Sequence, residues 1–329
     1  MAQLMNAPDA YVDEMLDGLV AAHPTLRRAG AGSRVIALAS PGSAARVGIV
    51  SGGGSGHLPL FTGYVGDGLL DACAIGNVFE GPNVQSCMEA IQLADRGKGV
   101  LCLYGNYGGD RMNFDMAGEM LEGIETATVL GTDDVASAGL DRADTRRGVA
   151  GILFAYKAAG AAAAAGKSLT DVTALAQRAV ARTKTIGFAL SGTTLPGKSA
   201  PSFTLGAGEI EMGMGIHGEP GIWRDKLKPA DALADEMLDR LLAEASAGTR
   251  RVAILVNSLG ATPLEELYIL YRRLSAQLAA RGYSIILPLV GRYTTSMEMA
   301  GASVSLNFLD DELEALLKAP ADCPFWTVK

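Results

Sequence analysis

Nowhere in the sequence do roughly 18 or more apolar residues run together, and that absence argues against a membrane-spanning helix. The start, MAQLMNAPDAYVDEML, has neither the basic segment nor the apolar stretch of a secretory signal, so a cytoplasmic location is expected. Cysteine is scarce. Cys73, Cys87, Cys102 and Cys323 form no CxxC pair and have no histidine at ligand spacing. Reduced, mostly buried thiols are therefore expected, and no metal site. Basic charge is also short: 28 Lys and Arg against 36 Asp and Glu leave a net charge of −8, with a pI near 5.0. Such a chain repels phosphate backbones and acidic lipid, so no nucleic acid and no membrane is expected among its partners.

Apolar residues and glycine are plentiful. Hydrophobic side chains make up 49% of 329 residues, enough for a substantial core, and the length suggests two domains. The 41 glycines follow no fixed period, which excludes collagen-like and repeat architectures. They gather at strand ends, where ligand-binding loops lie.

Short apolar runs alternate with helical patterns. Strands are predicted at 35–38, 46–51, 71–79, 99–106 and 125–131, with helices at 82–97 and 111–122 between them. Long helical stretches follow at 146–166 and 168–184, then a strand at 186–192. The second half repeats the alternation, with strands at 209–216, 251–258, 283–291 and 302–309 and helices at 229–246, 263–282 and 310–318. Phe325 and Trp326 in the tail are expected to pack back onto the body. This order predicts an α/β fold of two α/β domains, 1–185 and 186–329, each a mainly parallel or mixed sheet flanked by helices.

Two stretches imitate nucleotide sites and fail on physical grounds. AGAAAAAGKSLT has five residues between Gly160 and Gly166 where a phosphate loop has four, and no strand precedes it. Gly166 reads instead as a helix stop, and Ser168 with Asp171 as a capping box. GMGIHG at 213–218 fits a dinucleotide pattern in letters only, because Pro220 and Gly221 prevent the helix start that would aim amides at a pyrophosphate.

Histidine occurs three times, at 23, 57 and 217. His23, in AAHPTL at a helix end, reads as structural. His217 stands among glycines in GIHGEPG, a setting that either exposes a reactive imidazole or simply makes a surface turn. SGGGSGH follows a predicted strand and ends on His57; its amides and Ser55 can wrap a hydroxylated or phosphorylated small molecule, or form a flexible turn. LYGNYGGD places Asp110 on a second loop at the same sheet edge. His57 and Asp110 there would form an acid–base pair, although Asp110 is also placed to cap the helix beginning near Arg111.

GGGSGH, NYGGD, RRGVAG, GKSAPSFTL, GIHGEPG and NSLGATPLEELY occur in that order. Together they resemble the dihydroxyacetone-binding K subunit of dihydroxyacetone kinases. The resemblance runs from about residue 10 to the C-terminus and implies a ketose kinase subunit. It also implies a homodimer, with Mg-ATP or Mg-ADP held by a separate nucleotide-binding L subunit and no cofactor on this chain. Carried over, His217 forms a hemiaminal with the substrate carbonyl, and His57 and Asp110 handle the proton of the attacking hydroxyl. Gly54, Ser55, Gly56, His57, Gly105, Asp110 and His217 contact substrate. Members of the family also include non-catalytic ketose-binding transcriptional coactivators, which stand as the alternative.

The chain departs from the family pattern at three places. Leu58 stands where the family usually has Glu, Gly105 where some members have Lys, and Gly81 where Ser is usual. These losses predict a roomier site and a ketose larger than dihydroxyacetone, such as erythrulose or apulose.

Overall fold

Alternating apolar runs and amphipathic helices assemble here into two six-stranded sheets. The computed structural model describes residues 3–32, 34–246 and 248–329. The first half runs α1 (Tyr11–Ala22), β1 (Leu26–Ala29), β2 (Val35–Leu38), β3 (Arg46–Ser55), β4 (Ala72–Val78), α2 (Val84–Ala94), β5 (Gly97–Gly105), α3 (Gly108–Met120) and β6 (Thr126–Gly131). Two helices, α4 (Ile152–Ala164) and α5 (Leu169–Ala181), lead to β7 (Thr183–Ala189). Then come β8 (Glu209–Met212), β9 (Trp223–Lys226), α6 (Ala230–Leu242), β10 (Arg251–Ser258), α7 (Leu264–Ala280), β11 (Ser284–Gly291), β12 (Gly301–Phe308) and α8 (Asp311–Lys318). The hairpin β13 (Ala321–Cys323) and β14 (Trp326–Val328) closes the chain.

The first sheet is ordered β1-β2-β4-β3-β5-β6. Its β4-β3-β5-β6 portion is parallel, so the ends of β3 and β5 lie side by side at one edge, where ligands bind in such sheets. The second sheet, β11-β10-β12-β7-β8-β9, is mixed and mostly antiparallel, with only β10 and β11 parallel. The expected α/β class with two helix-flanked sheets is observed. One apolar core joins β3 to α4, α5 and α8 and reaches Ala253, Leu255 and Leu289 of the second sheet. Trp326 is buried in that core, while Phe325 stays 40% exposed and rests against Gly63 and His23. No helix among the described residues is long and apolar enough to cross a membrane.

Two local readings are corrected. The glycines at 52–54 are not a loop: β3 continues to Ser55, buried along this stretch. A Cβ on Gly52 would meet the Ala74 carbonyl at 2.7 Å, and one on Gly54 the Glu80 amide at 2.8 Å, so the strand survives glycine because its neighbours press on the backbone. The helix expected from residue 146 begins only at Ile152. Buried Asp133 accepts the Val149 and Gly151 amides at 3.0 and 2.8 Å, capturing backbone donors that a helix would otherwise need. Elsewhere the helix-cap reading stands: the Asp171 amide donates to Ser168 Oγ at 3.2 Å, and Gly166 has φ +77°.

Candidate functional site

His57 leaves the end of β3 and is 1% exposed. Its Nδ1 lies 2.7 Å from the Thr295 carbonyl. A carbonyl can only accept, so Nδ1 carries the proton and Nε2 carries a lone pair. That Nε2 is buried and finds no hydrogen-bond partner. Burial and the neighbouring His217 push the His57 pKa down to about 3, so the ring stays neutral. Thr295 belongs to the β11–β12 loop, which Asn257 holds: its Nδ2 donates to the Thr294 carbonyl and its Oδ1 accepts the Tyr293 and Thr294 amides. The same loop clasps the segment before His57, with the Met297 amide on the Gly56 carbonyl at 2.8 Å.

Asp110 does not cap its helix. It sits inside the first turn of α3, 6% exposed, with Oδ1 buried and unpartnered. Burial raises its pKa to about 7, against the smaller pull of His217. Such a carboxyl can hold a proton for an acid step or release it for a base step near neutrality.

His217 follows β8, which ends at Met212 rather than continuing to 216. Gly213, at φ +79°, turns the chain out of the sheet, and the Gly215 amide closes the turn on the Glu219 carbonyl at 3.1 Å. The imidazole is ringed by aromatic edges. Its centroid is 4.7 Å from His57, 4.7 Å from Tyr107 and 5.4 Å from Phe79, each pair close to perpendicular. His217 Nδ1 lies 3.0 Å from Glu219 Oε1, a partner that the sequence patterns did not single out.

His217, Asp110, Gly54, Gly105 and Tyr107 line one pocket together with Leu60, Phe61 and Ile216, a nearly closed space with a cavity of about 10 Å³. Residues 57, 110 and 217, distant in the chain, come together. His217 shares the pocket lining with Asp110 and packs edge-on to the ring of His57, which is not itself a lining residue. His57 Nε2 and Asp110 Oδ1 are both buried without a partner. Ser55 and Gly56 do not line this pocket: they border a separate cleft of about 400 Å³ with Leu58, Tyr11 and Met297. Ser55 stands at a register shift in the β3–β4 pairing and borders that second cleft.

The expected roominess is also absent. A Cβ on Gly105 would lie 2.9 Å from the Tyr107 ring, and one on Gly81 would fall on Asp110 Oδ1. Volume released by the missing Lys and Ser side chains is filled by Tyr107 and by the Asp110 carboxylate. The substitution at Leu58 opens onto the other cleft instead. Among the described residues, no group of three or more His, Cys, Asp and Glu is arranged to hold a metal.

Comparison with known proteins places these features in a wider context. Residues 17–325 match the Dak1 domain. The chain is 46% identical to the dihydroxyacetone-binding subunit DhaK of PTS-dependent dihydroxyacetone kinase 2 from Listeria innocua, over 100% of both chains. It is 43% identical to the L-erythrulose kinase of Pectobacterium atrosepticum, over 98% of this chain but 56% of that one. Among solved structures, the dihydroxyacetone kinase of C. freundii superposes with a TM-score of 0.91 at 31% identity, covering 100% of this chain and 61% of that chain. The dihydroxyacetone kinase operon co-activator DhaQ superposes with a TM-score of 0.89 at 32% identity, covering 95% and 97%.

Proposed function

The chain belongs to the Dak1-domain family, and from that premise we propose that it is the ketose-holding subunit of a dihydroxyacetone-kinase-like enzyme. A short-chain ketose enters the pocket beside His217, bonds to the imidazole through its carbonyl carbon as a hemiaminal, and presents a terminal hydroxyl for phosphorylation. The observation that carries this reading is the meeting of His57, Asp110 and His217, with a bare Nε2 on His57 and a bare Oδ1 on Asp110. A carbonyl adduct selects a ketose over a polyol, which hydrogen bonds alone separate poorly. Neutral His57 is suited to accept the hydroxyl proton as the phosphoryl group arrives.

The pocket leaves a cavity of only about 10 Å³, room for about one water, so it must open to admit a ketose. The relatives named for dihydroxyacetone and erythrulose support a three- or four-carbon ketose. The phosphoryl donor, Mg-ATP or Mg-ADP-linked, is assigned to a separate nucleotide-binding subunit. We also retain a homodimer, a cytoplasmic location and a domain division near 185/186, which falls within β7, the first strand of the second sheet.

The likeness to a co-activator supports one other reading, in which the chain binds a ketose and signals without turnover. The buried, unpartnered proton-handling atoms favour catalysis, since binding alone does not require them. Dihydroxyacetone labelled with ¹³C at C2 tests the proposal. The carbonyl resonance should convert to a tetrahedral carbon on the protein, and His217→Ala should abolish the conversion. A tightly bound ketose that keeps its carbonyl would refute it. Turnover with a nucleotide-binding subunit separates kinase from sensor.

A further inference from the structure

The hemiaminal reading leaves open how His217 is aimed and what balances the charge its reaction creates. Glu219 grips His217 twice. Oε2 accepts the His217 backbone amide at 3.0 Å, and Oε1 lies 3.0 Å from Nδ1. An ionised carboxylate offers no proton, so Nδ1–H is the donor, and in the neutral ring Nε2 is then the bare nitrogen. Burial alone would raise the Glu219 pKa, but the His217 hydrogen bond and the nearby charges, including Arg147, hold it well below the usual carboxylate range.

The carboxylate is itself held from the first half of the chain. Arg147 Nη1 lies 3.9 Å from Glu219 Oε2, while its Nε donates to Asp134 Oδ2 at 2.9 Å and its Nη2 to the Gly213 carbonyl at 3.1 Å. Asp134 is 3% exposed. Arg147 therefore spans both ends of the His217 turn. Gly215 keeps the gap open, since a Cβ there would lie 2.6 Å from Arg147 Nη1 and against Glu219.

Resting on the covalent reading of His217, we propose that Glu219 is a positioning residue, braced by Arg147 and Asp134. It fixes the Nε2-nucleophile tautomer and balances the cation formed on addition. The atoms account as follows. The Nε2 lone pair forms the bond to the ketose carbon, and the C=O π pair moves to oxygen. Protonated Asp110 gives that oxygen its proton and becomes a carboxylate. The ring, now bonded at Nε2 and still protonated at Nδ1, is an imidazolium paired with Glu219. Net charge is unchanged, and Asp110 is left as a carboxylate.

The test uses the full chain with ¹⁵N-labelled imidazoles, His217→Gln supplying the assignment among three histidines. At neutral pH the wild-type His217 should show a protonated Nδ1 and a bare Nε2, before any ketose is added. Glu219→Gln should mix the tautomers and weaken the ¹³C-dihydroxyacetone adduct by about 10- to 100-fold, the range for a lost hydrogen bond to a charged group. Arg147→Met, which leaves the Glu219–His217 contacts in place, should weaken it less, by about 1.5- to 5-fold. A wild-type ring protonated at Nε2 would overturn the proposal, as would a folded Glu219→Gln with unaltered tautomer and adduct. Should Glu219→Gln not fold, the wild-type tautomer and Arg147→Met decide. A correct tautomer without any adduct would instead reject the covalent reading, so the two failures are distinguishable.

Discussion

Replacing Asp110 by Asn should make the protein more stable at pH 8 while removing its turnover. The first turn of a helix normally favours a carboxylate, by about 0.3–1 kcal/mol. Here burial prevails: the side chain is 6% exposed, Oδ1 has no partner, and the pKa rises from 3.8 to about 7. The folded state therefore retains the proton up to about pH 7, whereas the unfolded chain loses it near 3.8. Stability from this group is complete below pH 3.8 and is lost progressively as pH rises through 7. A rise of about three units corresponds to ~4 kcal/mol at 1.36 kcal/mol per unit. Asn has the same shape and never ionises, so its advantage should grow from nothing near pH 3.5 to about 4 kcal/mol at pH 8. Urea midpoints of the two proteins, measured from pH 3.5 to 8.5, would show the curves diverging. Phosphorylation by the variant should fall by about 10²–10⁴, the usual worth of an acid–base group. Parallel urea curves across this range would refute the reasoning, because Asp110 would then not be held neutral by burial.

Two other substitutions extend the argument. A Cβ at position 81 would overlap Asp110 Oδ1, so Gly81→Ser must push the Asp110 carboxyl out of place. Urea denaturation should show a loss of about 1–3 kcal/mol, the usual cost of overpacking, and an unchanged stability would refute the close approach. Lys157 is fully buried in α4, donates from Nζ to the Leu316 carbonyl at 2.8 Å, and has its pKa lowered by burial to about 8. Wild-type stability should therefore rise between pH 8 and the ordinary lysine value of 10.5, where only the unfolded chain still holds the proton. Lys157→Met should flatten that rise, with stability at pH 7 within about 2 kcal/mol of wild type, because a relieved buried charge offsets the lost hydrogen bond. A rise that persisted in the variant would assign it to another group.

The strands and helices with strong periodicity were readable because burial on one face imposes period 2 or 3.6 on the residues themselves. Exposed β9, Trp223–Lys226, and the tail hairpin carried no such period. The stretch 146–151 looked helical because its competitor, Asp133, lies outside any local window. Gly52–Gly54 looked like a loop because glycine marks both turns and close approach, and only the neighbours tell them apart.

The same division runs through the site. Sequence alone determined the α/β class, the absence of nucleotide loops from the tested motifs, and the candidates His57, Asp110 and His217, because residue type and local spacing carry that information. Tertiary structure alone decided that Ser55 faces another cleft, that Tyr107 and Asp110 fill the vacated space, and that Glu219 and Arg147 hold the imidazole. Those outcomes depend on burial and on contacts between segments far apart in the chain, and neither a shifted pKa nor a pocket volume exists until the chain has packed.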